Sequence, residues 1–144
     1  MALHVIKLCV GAVSIQDLVD WHDHQAFSRL ALGLDPRPVC DTRMTPKRRS
    51  EILDGGSLYW VIKGQILVRQ EIEDIVTLEE ADGRTRCEIV LKHHHILTAP
   101  RRRAAFQGWR YLQVKDAPPD LKNLDGGDEL PEPLRKELLD LGAW

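Results

Sequence analysis

The sequence predicts an α+β fold: a small, curled, mostly antiparallel sheet with flanking helices. Three observations carry this. Apolar residues recur at helical spacing in the N-terminal third, over residues 15–34. Residues 57–72 then alternate apolar and polar, the period of a half-buried strand. Ala81-Asp82-Gly83-Arg84 follows as a hairpin signal, with residues 86–91 returning behind it. Helices early and a run of hairpin-linked strands after them is the α+β order.

Each element has a local cause. Residues 3–10 are rich in β-branched residues and Leu and end at Gly11, which reads as a strand. Ser14 stands at an N-cap position with Asp17 three residues on, a form of the capping box. Ile15, Leu18, Val19, Phe27, Leu30 and Leu34 mark the helix's apolar positions, and Gly33 stops it. Asp35-Pro36-Arg37-Pro38 is a loop, because each proline disfavours helix at the residue before it. Residues 39–44 suit a short strand. Thr45-Pro46 opens a helix over residues 47–53, closed by Asp54-Gly55-Gly56.

The strand over residues 57–72, with a bend or turn near Gly64, sorts its side chains by alternation. Leu58, Trp60, Ile62, Ile66 and Val68 face the core, and Tyr59, Lys63, Gln65 and Arg69 face outward. Residues 72–79 continue extended. Residues 98–103 contain Pro100 and read as a loop or edge, and residues 106–114 as a strand with a tight approach at Gly108. From residue 116 to 133 the composition turns to Pro, Gly, Asp and Glu, an acidic connector before a short helix over residues 134–141. Residues 1–115 are therefore expected as one α+β domain, with 116–144 a connector and a helix packing on it.

The chain has 144 residues, 43% of them hydrophobic and 29% charged, enough to bury a core without metal or disulfide support. Three well-separated cysteines, Cys9, Cys40 and Cys87, suit reduced buried thiols rather than a disulfide framework or a thiolate zinc site. No apolar run reaches the roughly 18 residues of a membrane span. The N-terminal residues lack the pattern of a secretory signal, so a cytoplasmic location is expected.

Charge is distributed unevenly. Residues 43–69 and 98–115 hold eleven of the twenty Lys and Arg, two of the twenty-two Asp and Glu, and five of the eight aromatics. They carry +9, against −11 for all other residues. A basic surface seeded with aromatics is the footprint of a nucleic-acid or other polyanion binder. Arg43, Lys47, Arg48, Lys63, Arg69, Arg101, Arg102 and Arg103 are the candidate phosphate contacts. Tyr59, Trp109 and Tyr111 are candidate stacking platforms, with Gln107 and Arg110 supplying hydrogen bonds. Phe106 is assigned to the core.

Two other function classes stay open. A small enzyme acting on a nucleotide or modified base could use His93 or His95 with Glu88 or Asp54. A protein-interaction module could dock an acidic partner or form a homodimer through its sheet. The nucleophile-elbow, phosphate-loop, dinucleotide and zincin motifs are absent from the sequence, and no metal or cofactor is expected. His93-His94-His95 lacks a carboxylate or cysteine at ligand spacing, which favours an exposed cluster over a metal site.

The strings LHVIKLCVG (3–11), GLDPR (33–37), LDGGSLYWVIKG (53–64), RQEI (69–72) and FQGWRYL (106–112) resemble a bacterial family of uncharacterised proteins, domain-of-unknown-function family 1489. That resemblance runs nearly end to end and implies a conserved domain with no established activity. More loosely, the order of elements over residues 39–121 resembles the PUA, ASCH and EVE group. This implies a pseudo-barrel and binding of RNA or modified bases, by analogy of fold alone.

Overall fold

The computed structural model describes residues 2–123 of the chain. Among these, two α-helices and a mixed sheet of eight strands form an α+β fold whose sheet is not closed. The order is β1 (His4–Leu8), α1 (Ile15–Ala31), β2 (Val39–Thr42), α2 (Arg49–Ile52), β3 (Ser57–Ile62), β4 (Gln65–Glu79), β5 (Thr85–Leu91), β6 (Ile96–Arg102), β7 (Trp109–Leu112) and β8 (Asp120–Asn123). The helix expected over residues 134–141 and the distal connector lie outside the described residues.

Strand β4 is the hub. Its 15 residues pair with β3 and β6 in the first half and with β5 in the second. The main path runs β2-β5-β4-β3-β1-β7, with β6 and β8 branching from β4. Among the described residues only β1 and β3 run parallel, and every other pair is antiparallel. The parallel pair follows from α1, which carries the chain back across the sheet before β3 begins.

The run expected as one strand is a hairpin. Ile62 pairs with Gln65, so Lys63 and Gly64 form a two-residue turn, and both have positive φ, 50° and 76°. That combination belongs to a type I′ turn, which matches the twist of the strands it joins. An extra residue at Leu67 then shifts the register, since Trp60 faces Val68 but Val61 faces Ile66. The bulge moves Ile66 off the face of Trp60 and Val68, where strict alternation had it.

Both faces of the sheet are covered. The larger core holds Leu58, Trp60, Ile62 and Val68 with Ile15 and Leu18 of α1. A smaller one holds Ile6, Tyr59, Val61, Ile66 and Leu112, with Phe106 and Ala117 packed on it. Tyr59, expected outward, is therefore only 4% exposed. Hence β3 is buried along its whole length.

Helix α1 begins as expected: Asp17 N–H donates to Ser14 Oγ, and Asp17 Oδ2 accepts from Val13 N–H. Its buried line is Ile15, Leu18, His22 and Ala26. Phe27 and Leu30, expected on the apolar face, are 74% and 62% exposed, and Leu34 lies beyond the helix. The imidazole of His22 takes the core-facing position instead. Its ring packs against Trp60, and its Nδ1 lies 2.9 Å from Nε2 of the equally buried His95.

Helix α2 is shorter than expected, four residues over Arg49–Ile52, and Thr45 does not cap it. The Thr45 hydroxyl instead meets that of Thr77, 2.9 Å away. Residues 98–102, expected as loop or edge, complete β6. Pro100 is tolerated because the β4–β6 register shifts there, between Val68–Leu97 and Ile66–Arg101. β8 lies within the stretch expected as connector and pairs with β6.

Gly55 and Gly56 divide two tasks. Gly55, at φ +89°, ends α2, whereas Gly56 lies under backbone. A Cβ on Gly56 would come within 2.2 Å of Leu3 O and 2.4 Å of Ile52 O. Neither carbonyl is the end of a flexible side chain, so Gly56→Ala should destabilise the fold by about 3 kcal/mol. A urea midpoint unchanged by this substitution would contradict the close packing of β1 on the α2–β3 turn.

Burial pushes His22 down to about 3, with His95 and His93 adding repulsion. The unfolded chain takes up a proton there below its ordinary value of 6.5, and the folded chain does not until far lower pH. Stability is therefore fully present above pH 6.5 and declines below it, by about 2 kcal/mol at pH 5 from this residue. Urea unfolding from pH 7 to pH 5 should show that decline, and His22→Leu should make it shallower. Stability independent of pH across this range would contradict the assignment.

Candidate functional site

The sheet has one end at which most of the candidate residues gather. β6 finishes there with Arg101 and Arg102, opposite Ile66 and Gln65 of β4. Arg103 N–H donates to Gly64 O at 2.8 Å, tying the following loop to the Lys63-Gly64 turn. The loop crosses the ends of β4, β3 and β1 and enters β7 at Trp109, beside Lys7. Lys63, Arg101, Arg102, Arg103 and Arg110 thus border one sheet end.

Phe106 organises the loop. Its ring packs on the smaller core, and the guanidinium carbons of Arg103 and Arg110 lie 5.5 and 5.6 Å from its centroid. Stacking of this kind holds cations without neutralising them. Arg110 also donates to Gln107 O and Trp109 O, and Arg101 donates to Asp116 O, all backbone acceptors. Among the described residues, none of the five cations forms an ion pair with a carboxylate.

The other candidate cations are differently placed. Arg69 is engaged inside the fold: it binds Asp120 through two nitrogens at 2.7 Å and donates to Ser57 Oγ at 2.8 Å. Arg43 pairs with Glu80 at 3.0 Å, and Arg48 pairs with Glu51. Lys47 is exposed in the turn before α2. Tyr59 is enclosed in the smaller core, edge-on to His4.

Trp109 and Tyr111 lie on the opposite face from Arg110, half-buried against the larger core. Their rings meet edge to face, with centroids 4.9 Å apart. Residues 42–48 brace them: Trp109 Nε1 donates to Met44 O at 2.8 Å, and Arg48 N–H donates to the Tyr111 hydroxyl at 3.2 Å. Between this segment and β7 runs a groove of about 440 Å³, bordered by Arg43, Met44, Gln107, Trp109, Arg110 and Tyr111. The two basic windows of the sequence therefore meet twice, at the sheet end and at this groove.

Sequence reasoning missed Met44, which is 70% exposed and forms a wall of the groove. It also took Phe106 as plain core, although the arginines at 103 and 110 flank it in sequence and were a signal available beforehand. Of the alternative acid–base groups, His95 is sequestered with His22, His93 pairs with Asp23 at 2.9 Å, and Glu88 pairs with Arg86. The three thiols are buried and free, and burial raises Cys9 to about 11 and Cys40 to about 12, which leaves them poor nucleophiles. Among the described residues no three His, Cys, Asp or Glu side chains group as metal ligands, and no helix is long and apolar enough to cross a membrane.

No curated protein and no solved structure matches the chain. A family model described as "Protein of unknown function (DUF1489)" matches residues 5–144, nearly the whole length. The chain belongs to this family.

Proposed function

We propose that this protein binds single-stranded nucleic acid, RNA first, through the basic sheet end. One observation carries this: five cations border a single sheet end without a carboxylate partner among the described residues. Elsewhere eight cations are matched with anions, while Lys7, Arg29, Lys47 and Lys115 have no carboxylate partner among the described residues. Arg37, Arg43, Arg48, Arg49, Arg69, Arg84, Arg86 and Lys92 all have acidic partners. Clustered, uncompensated like charges repel one another, and a phosphate backbone relieves that repulsion while releasing its own counterions.

The cations also differ in mobility. Arg103 and Arg110 are held against Phe106, and Arg101 is fixed to a backbone carbonyl. Preorganised guanidinium groups lose less entropy on binding phosphate than free lysines do. Arg102 and Lys63 complete the border. The role is binding rather than catalysis, because the site's side chains are cationic, aromatic and amide groups.

The test is a salt titration of binding to a short single-stranded RNA. Replacing Arg101, Arg102 and Arg103 by Ala together should weaken binding and make the slope of log K against log salt shallower by about 2. These side chains are exposed, so thermal stability should change little. Unaltered affinity and slope would refute the proposal.

A further inference from the structure

Resting on that proposal, we infer that the groove between residues 42–44 and β7 receives one unpaired base of the bound strand. The basic border would hold backbone phosphates, and the groove would hold a base, which explains what the aromatic half of the two windows does.

The groove has the features a base requires. Its volume of about 440 Å³ lies within the ordinary range of small-ligand sites. Trp109, Tyr111 and Met44 give it apolar, polarisable walls, and Gln107, Arg43 and Arg110 lie at its border. It is braced in advance by the bonds from Trp109 Nε1 to Met44 O and from Arg48 N–H to Tyr111. Gly108, at φ +68°, has open space where a Cβ would project, so nothing obstructs that wall.

Charge fixes the occupant. Arg110 lines the groove and is also stacked on Phe106 beside Arg103, so groove and basic border share a residue. An occupant of the groove that also meets these cations must reach from one face of β7 to the other. It therefore needs an aromatic ring carrying anionic charge on a flexible tether, which describes a nucleotide within a single strand. A duplex would offer phosphates but keep its bases stacked and paired.

The experiment compares three probes on the full chain: a short single-stranded RNA, an abasic oligomer of equal length, and the same RNA in a duplex. Binding is measured at one salt concentration, with the quenching of tryptophan fluorescence as a second signal. The RNA should bind about tenfold more tightly than the abasic oligomer, the gain expected from one stacked base. The combined Met44→Ala and Gln107→Ala variant, both at the border of the groove, should lose that difference and leave abasic binding unchanged. Trp109→Phe should abolish most of the quenching while the chain stays folded.

Equal binding of RNA and abasic oligomer, both salt-dependent, would overturn the groove inference and leave the phosphate border standing. Duplex binding as tight as the single strand would overturn it in the same way. Failure of all three probes to bind would overturn the border and the groove together.

Discussion

The two-residue turn at Lys63-Gly64 is the constraint on which the basic sheet end depends. Its pair of positive φ angles fixes the β3–β4 register, and β4 in turn seats β6. The Gly64 carbonyl then receives Arg103 N–H, so the turn also anchors the loop that carries Phe106 towards β7. A slip of one residue here would send Ile66 and Arg101 to the opposite face. Lys63 accepts a left-handed conformation that non-glycine residues seldom adopt, at a cost of roughly 1–2 kcal/mol. Packing on both sides of β3 offsets it.

Charge is partitioned by the same architecture. The acidic excess outside the two windows meets arginines around the β2–β5 edge and the long half of β4: Asp41 and Glu88 with Arg86, Glu80 with Arg43, and Asp74 with Arg49. Exposed pairs of this kind add little stability, but they cancel local field. The sheet end receives no such compensation from the described residues. A chain of net charge −2 can therefore carry a locally basic sheet end. Overall charge is a poor guide to the partner in such a case.

Much of the fold was legible in the sequence, because local signals and tertiary structure agree there. Ser14 and Asp17 cap α1, Gly64 turns the hairpin, and the turn at Ala81-Asp82-Gly83-Arg84 joins β4 to β5. Trp60 lies in the core, with its Nε1 satisfied by buried Gln70 at 2.7 Å. What failed did so where tertiary contacts override period. Alternation assigned Tyr59 to solvent, since no sequence signal says that loop 103–108 and Leu112 roof the second face. The bulge at Leu67 reversed Ile66, and a register shift accommodated Pro100 within β6. His22, an unpromising core residue, displaced Phe27 and Leu30 from the buried line of α1.

The candidate site was legible in composition but not in geometry. Counting charges found the two windows, yet could not tell Arg69, bound to Asp120, from Arg101, bound only to backbone. The separation of paired from unpaired cations is the central claim, and amide chemical-shift mapping tests it most directly. Adding a short single-stranded RNA to the isotopically labelled chain should shift the resonances of residues 63–64 and 101–110, with smaller changes along β7. Perturbations centred on α1 or on the β2–β5 edge, or none at all, would contradict the account.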